Sequence, residues 1–269
     1  MQIGEVLPEI FKRSYPVVQS NTEMLVAVSL LRFHQIDALP LEFNRSDGKK
    51  RLAVFGYSCL SKLLKTRPEN YGNFLKLPAK TVALELSTVY VNTDLLRLLR
   101  VYRKTKFGFA WIESESLGGF AALRDLLELY ENETLETNFR LSELASPIFS
   151  LPKETEIREV LQEMFNKRIR QIFIRGTNSL VTDRRIISHL FSSSNLEKSS
   201  KNPKAFLDVK LSDVDTFEPP RVRGNMTAKK AASLIRDQVD ECLVNEKGVV
   251  TPWDLIMKPL ERGALKIKE

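Results

Sequence analysis

The stretch GVVTPWDLI (248–256) is where the reading of this chain begins. Two valines favour a β-strand that ends at Val250, and the residues after them favour a helix. Thr251 can cap a helix N-terminus. Pro252 suits the first helical position, where no N–H is needed, and Asp254 lies in the first turn, where a carboxylate meets the positive helix end. Working outward, the same strand-then-helix pattern recurs in RLAVFGYSCLSKLLK (51–65), LGGFAALRDLLELY (117–130) and SLVTDRRIISHLF (179–191). A small or hydroxyl residue marks each: Ser58, Ala122, Thr182 and Thr251, separated by 64, 60 and 69 residues. A regular period of this length is the mark of a repeat architecture.

Upstream of each marker lies a second shared pattern. A short β-prone stretch is followed by Thr22, Thr93, Thr155 or Thr227, each read as the N-cap of an amphipathic helix, and in the first three an acid follows directly (Glu23, Asp94, Glu156). Apolar residues then recur at helical spacing, as in Leu95, Leu98, Leu99 and Tyr102, or Val160, Leu161 and Met164. The unit is thus β-α-β-β-α, and the fold class is α+β, with four copies placed at 1–68, 69–134, 135–198 and 199–269. The polar stretch Leu129–Arg140 reads as the boundary between two modules. Ser192–Lys204 reads as a mobile polar linker, and Arg45–Arg51 as a hairpin loop around Asp47–Gly48.

Composition bounds the function. Hydrophobic residues are 43% and charged residues 28% of the 269, enough for a core. The longest apolar run, near Met24–Leu31, is far below the roughly 20 residues a bilayer span needs. The N-terminal sequence lacks a basic stretch followed by an apolar one, so no membrane and a cytoplasmic location are expected. Cys59 and Cys242 sit in apolar contexts and read as small buried hydrophobes, with His34 and His189 equally isolated. No metal site is expected. Nor is a nucleophile–base–orienter trio or a phosphate-loop string present, so the chain reads as a binder and not an enzyme. The net charge of +7 favours polyanionic partners, although the cations are spread along the chain.

GVVTPWDLI resembles the signature of the cystathionine-β-synthase (CBS) domain, in which Gly-x-x-Thr/Ser-x-x-Asp leads from a strand into a helix. HQIDALPLEF (34–43) is similar to the family's middle strand. The likeness covers Val6 to Leu260 and implies repeats paired into two Bateman modules in a disc-like assembly. It also implies an adenine nucleotide (AMP, ADP or ATP) bound in clefts between paired repeats. The copies are unequal: repeat four has both Thr251 and Asp254, repeat two pairs Ala122 with Asp125, repeat three pairs Thr182 with Arg185, and repeat one has Ser58 and Ser61.

The chemistry at 250–254 agrees with such a ligand. A helix N-terminus seats phosphate, the Thr251 hydroxyl can donate to an oxygen, and Asp254 can accept from both ribose hydroxyls. The resemblance places adenine against Arg221, Val222 and Arg223, near Thr227, and makes Arg170 a candidate to reach phosphate across the module. Ser58, Asp125 and Thr182 mark a possible second site. An N-cap with a first-turn carboxylate would also account for the Thr251–Asp254 pair by itself. The expected function is regulatory sensing of an adenosine-containing small molecule, signalled to a separate effector protein. The alternatives are an S-adenosylmethionine binder and a nucleic-acid-binding protein, the latter resting on the net charge and on RLLRVYRKTK (97–106). A homodimer is compatible with the resemblance.

Overall fold

A computed structural model describes residues 1–12, 15–42, 51–115 and 118–268. The hairpin loop expected around Asp47–Gly48 lies outside the described residues.

The β-α-β-β-α unit is present four times. In each, the chain enters along a short strand or bridge parallel to a middle strand: Val18 beside Leu41, Thr88–Tyr90 beside Trp111–Glu113, Ser150–Leu151 beside Phe173–Ile174, and Arg221 beside Val244. A helix follows, at Met24–Phe33, Leu95–Thr105, Ile157–Lys167 or Ala228–Arg236. An antiparallel pair comes next: Ala38–Pro40 with Leu52–Phe55, Phe109–Glu113 with Gly118–Ala122, Gln171–Ile174 with Leu180–Thr182, and Leu243–Asn245 with Gly248–Val250. The last strand runs into a closing helix, Gly56–Lys65, Asp183–Leu190 or Pro252–Glu261, and in repeat two into the shorter turns Asp125–Leu127 and Glu128–Glu131. The helical spacing read from sequence is what the core uses: Leu95, Leu98, Leu99 and Tyr102 are all fully buried, each worth about 1.5–3 kcal/mol.

A feature absent from the linear reading organises the fold. Every connecting segment seals the N-terminus of a first helix other than the one it leads into. In each case two successive amides donate to two carbonyls spaced by two residues. Ile3 and Gly4 donate to Thr93 and Val91 (2.9 and 2.9 Å), and Ala79 and Lys80 to Thr22 and Ser20 (2.7 and 3.1 Å). Leu211 and Ser212 donate to Thr155 and Lys153 (2.8 and 2.9 Å), and Leu141 and Ser142 to Met226 and Gly224 (3.3 and 2.9 Å). The exchange is reciprocal in three copies, where Met24, Leu95 and Ile157 donate their first-turn amides to Leu77, Met1 and Val209. Helix N-termini leave such amides orphaned, so a backbone carbonyl from elsewhere stands in for a side-chain cap.

This pairing corrects the register of both landmarks. Thr22, Thr93 and Thr155 correspond to Met226, not Thr227, and they present carbonyls to the connecting segments. The N-caps are the residues that follow: Glu23, Asp94, Glu156 and Thr227. Asp94 and Thr227 accept from Leu96 and Lys230 through their side chains, whereas Glu23 and Glu156 make no side-chain cap. In repeat one the residue equivalent to Ala122, Thr182 and Thr251 is Phe55, the last of its strand, so Ser58 stands at the place of Asp125, Arg185 and Asp254.

Two compact units result, one of residues 1–14, 86–148 and 219–269, the other of 15–85 and 149–218. The first holds repeats two and four, the second repeats one and three, each around its own hydrophobic cluster. Leu129–Arg140, read as a boundary, lies inside the first unit: the Tyr130 hydroxyl donates to the Leu255 carbonyl at 2.6 Å, and Leu135–Glu136 pairs with Lys266–Ile267. Ser192–Lys204 is no loose linker. Ser193–Lys201 is a helix capped by Ser192, because the buried Asn195 amide donates to the carbonyls of Leu190 and Phe206 and pins it down.

Candidate functional site

The turn at repeat four is built as its sequence suggests. Val250 is fully buried at the strand end, Thr251 is the extended N-cap (φ −122°, ψ 173°), and Pro252 opens the helix. The Asp254 carboxylate is only 4% exposed and is held on both oxygens. Its Oδ2 accepts from the Thr251 amide and hydroxyl (2.9 and 2.8 Å), and its Oδ1 from the Ser146 hydroxyl and the Lys258 ammonium (2.7 and 2.8 Å). Lys258 also donates to the Leu144 carbonyl at 2.6 Å and to Ser146 Oγ at 2.8 Å. Four donors fill a carboxylate's acceptor capacity.

The same construction recurs with weaker groups. Asp125 accepts from the Ala122 amide at 2.8 Å, and Ser58 Oγ from the Phe55 amide at 3.2 Å. In repeat three the roles reverse: Thr182 Oγ accepts from the Arg185 amide at 3.3 Å. Ser58, Asp125 and Thr182 are all buried, and they are divided between the two units, Asp125 in the first and the others in the second. Arg221, Val222, Arg223 and Thr227 lie in the first unit with Thr251. Arg221 bridges Val244, the Val222 amide donates to the Val244 carbonyl at 2.8 Å, and Val222 packs on the core while Arg223 and Thr227 are exposed.

Arg170 is engaged in the second unit. It grips Asp183 with two bonds (2.8 and 3.1 Å) and reaches Asp37 at 3.0 Å, while Arg184 meets the same Asp37 at 3.0 Å. Burial opposes ionisation of Asp37, but the Arg170 and Arg184 guanidiniums outweigh it and hold the carboxyl well below its usual range. These residues line a small cleft with Arg32, Ile36 and Gly56. The first unit carries a counterpart: Arg124 meets Glu241 at 3.2 Å and donates to the Arg236 carbonyl. Arg184 and Arg124 both stand two residues after the end of a hairpin strand, and each ties repeat three to one, or two to four. Sequence inspection missed Ser146, Lys258, Asp37, Asp183 and Arg184. Lys258 was visible as the i+4 partner of Asp254, but Ser146 is 108 residues away.

Both cysteines are buried, and their surroundings push the thiols up to about 12, chiefly through desolvation. Among the described residues no group of three His, Cys, Asp or Glu side chains could hold a metal ion, and no helix is long and apolar enough to cross a membrane.

Solved structures share this architecture. One from Methanocaldococcus jannaschii, proposed as an archaeal homolog of g-AMPK, superposes with a TM-score of 0.81 at 13% identity, over 96% of this chain and 99% of that one. The fold is that of a tandem CBS-domain protein. An uncharacterized conserved protein from Pyrococcus horikoshii superposes with a TM-score of 0.50 at 10% identity, covering 82% of this chain and 90% of that one. A CBS domain protein from Pyrobaculum aerophilum, complexed with AMP, covers 47% of this chain and 90% of its own, at 15% identity and a TM-score of 0.37. No family model matches the sequence, and no curated protein does.

Proposed function

We propose that the protein is a regulatory sensor that binds an adenosine-containing ligand, an adenine nucleotide first, at the strand-to-helix turn of repeat four. A separate effector protein would read the change. One observation carries the reading: Asp254 stands at a helix start beside Thr251, and two of its four bonds come from the side chains of Ser146 and Lys258, a hydroxyl and an ammonium. Ribose hydroxyls are the same class of donor and can take the place of Ser146 and Lys258. Ligand binding therefore competes with the Lys258–Asp254 pair. Exchange of these partners gives the repeat two arrangements that a ligand can bias, as signalling requires. The division of residues 1–68, 69–134, 135–198 and 199–269 into four repeats remains part of this proposal, because the connecting segments belong structurally to other copies than their position suggests.

Calorimetry with AMP, ADP, ATP and S-adenosylmethionine tests it. Wild type binds one of these. Asp254→Asn and Asp254→Ala weaken binding at least about tenfold, the worth of one charge-assisted hydrogen bond. Lys258→Met tightens it by about three- to fivefold, the worth of one partly exposed ion pair. Undiminished affinity in both Asp254 variants overturns the role of that carboxylate. Preference for the adenosyl compound over all three nucleotides would reassign the ligand.

A further inference from the structure

We infer that the outer face of the helix Leu95–Thr105 is a docking surface for a nucleic-acid backbone. Its inner face, Leu95, Leu98, Leu99 and Tyr102, is fully buried, and its outer face carries Arg97, Arg100, Arg103 and Lys104, all exposed. None of these four side chains has a hydrogen-bond, ion-pair or ring partner among the described residues. The other first helices differ. On Ile157–Lys167, Lys167 pairs with Glu163, and on Ala228–Arg236, Lys229 pairs with Glu133 and Arg236 with Glu131. Two acids at the ends of this helix are already engaged: Asp94 with the chain's amino terminus at 3.4 Å and Glu261 with Lys106 at 3.8 Å. Four uncompensated cations on one helix repel each other and cost stability, so the face is held ready for negative charge from outside.

The chemistry of the face selects among polyanions. A membrane-surface helix needs large apolar side chains exposed beside its cations to enter the interface, and here Leu95, Leu98, Leu99 and Tyr102 are buried, Val101 is half-buried against the core and Leu96 is half-buried. A protein partner needs an apolar or aromatic anchor at the centre of the contact, and no fully exposed large apolar or aromatic side chain stands on this helix. Three of the four cations are arginines, whose planar fork grips phosphate oxygens two at a time. With a rise of about 1.5 Å per residue, Arg97, Arg100 and Lys104 form a row about 10 Å long, which spans several phosphates of a strand. Binding of this kind is read from the backbone and is independent of base sequence.

The experiment is fluorescence anisotropy of the full chain with a labelled single strand and a labelled duplex, at 50 and 200 mM salt. Four phosphate contacts predict an affinity loss over that range of about 50-fold for the single strand and about 150-fold for the duplex. Substituting Gln for Arg97, Arg100, Arg103 and Lys104 together should abolish most of the salt slope and weaken binding at least about tenfold at 50 mM salt. The milder pair Arg97→Gln and Lys104→Gln should remove about half the slope, and it serves if the fourfold variant misfolds. The inference is overturned by no retention of either oligonucleotide at 50 mM salt or by unchanged binding in the pair variant. Competition by polyglutamate, or by phosphatidylserine vesicles, as strong as by unlabelled oligonucleotide also overturns it. Adenine-nucleotide calorimetry on the same variants is expected to be unchanged, which separates this surface from the turn at Thr251.

Discussion

Asp37 shows at the residue scale how little a side chain's role follows from its neighbours in sequence. It reads as an unremarkable acid before a middle strand, yet it meets two arginines from 133 and 147 residues away. Its pKa is lowered in the folded chain by the two guanidiniums, so its contribution to stability is complete above the ordinary value of 3.8 and fades as pH falls below it. Urea denaturation from pH 7 downward should therefore show stability declining from about pH 5, as the unfolded state begins to take up the proton. Asp37→Asn should lose on the order of 2–4 kcal/mol at pH 7, because two guanidiniums are left short of an acceptor, and should flatten the acid limb. A variant as acid-sensitive as wild type would show that other carboxylates carry the transition. The candidate site was half legible at this scale. Thr251, Pro252 and Asp254 stand together in one turn and were found by spacing, whereas Ser146 comes from a segment that no local pattern links to them.

Hairpins and helices were legible where burial is periodic, and misread where a tertiary bond outweighed a local preference. The Thr landmark was displaced in repeat four because carbonyl positions, not hydroxyls, are what the connecting segments recognise. Ser193–Lys201 was misread because its serines and lysines suggest a linker, while the buried Asn195 and Ser199 decide its structure. Gly248 illustrates an element-scale constraint. Its φ is +149°, and a Cβ there would stand 2.0 Å from the Ser146 carbonyl oxygen, which accepts from the Val249 amide at 2.9 Å. Gly248→Ala should thus push the connecting segment off the hairpin and cost at least about 2 kcal/mol, together with the Ser146–Asp254 contact. Thermal denaturation checks the first effect. Wild-type stability in this variant would mean that the segment shifts at no cost.

At the scale of the whole molecule, the segments between repeats are shared out so that each closes a copy it does not precede. Residues 1–12 pack with repeat two: Ile3 and Gly4 bond to Thr93 and Val91, and Ile3, Leu7 and Ile10 lie in the first unit's core. Their removal should strip amide-exchange protection from Leu95–Thr105 first and most, and from Met24–Phe33, the nearer helix in sequence, least. The reverse order would refute the sealing role. The sequence by itself determined the repeated β-α-β-β-α unit, because alternation and helical spacing are local consequences of which side chains avoid water. It also placed the helix start at Thr251. Only the tertiary structure decided which segment caps which helix and which distant groups share Asp254 and Asp37. Backbone amides and carbonyls are alike in every residue, so their long-range pairing leaves no mark in the order of side chains.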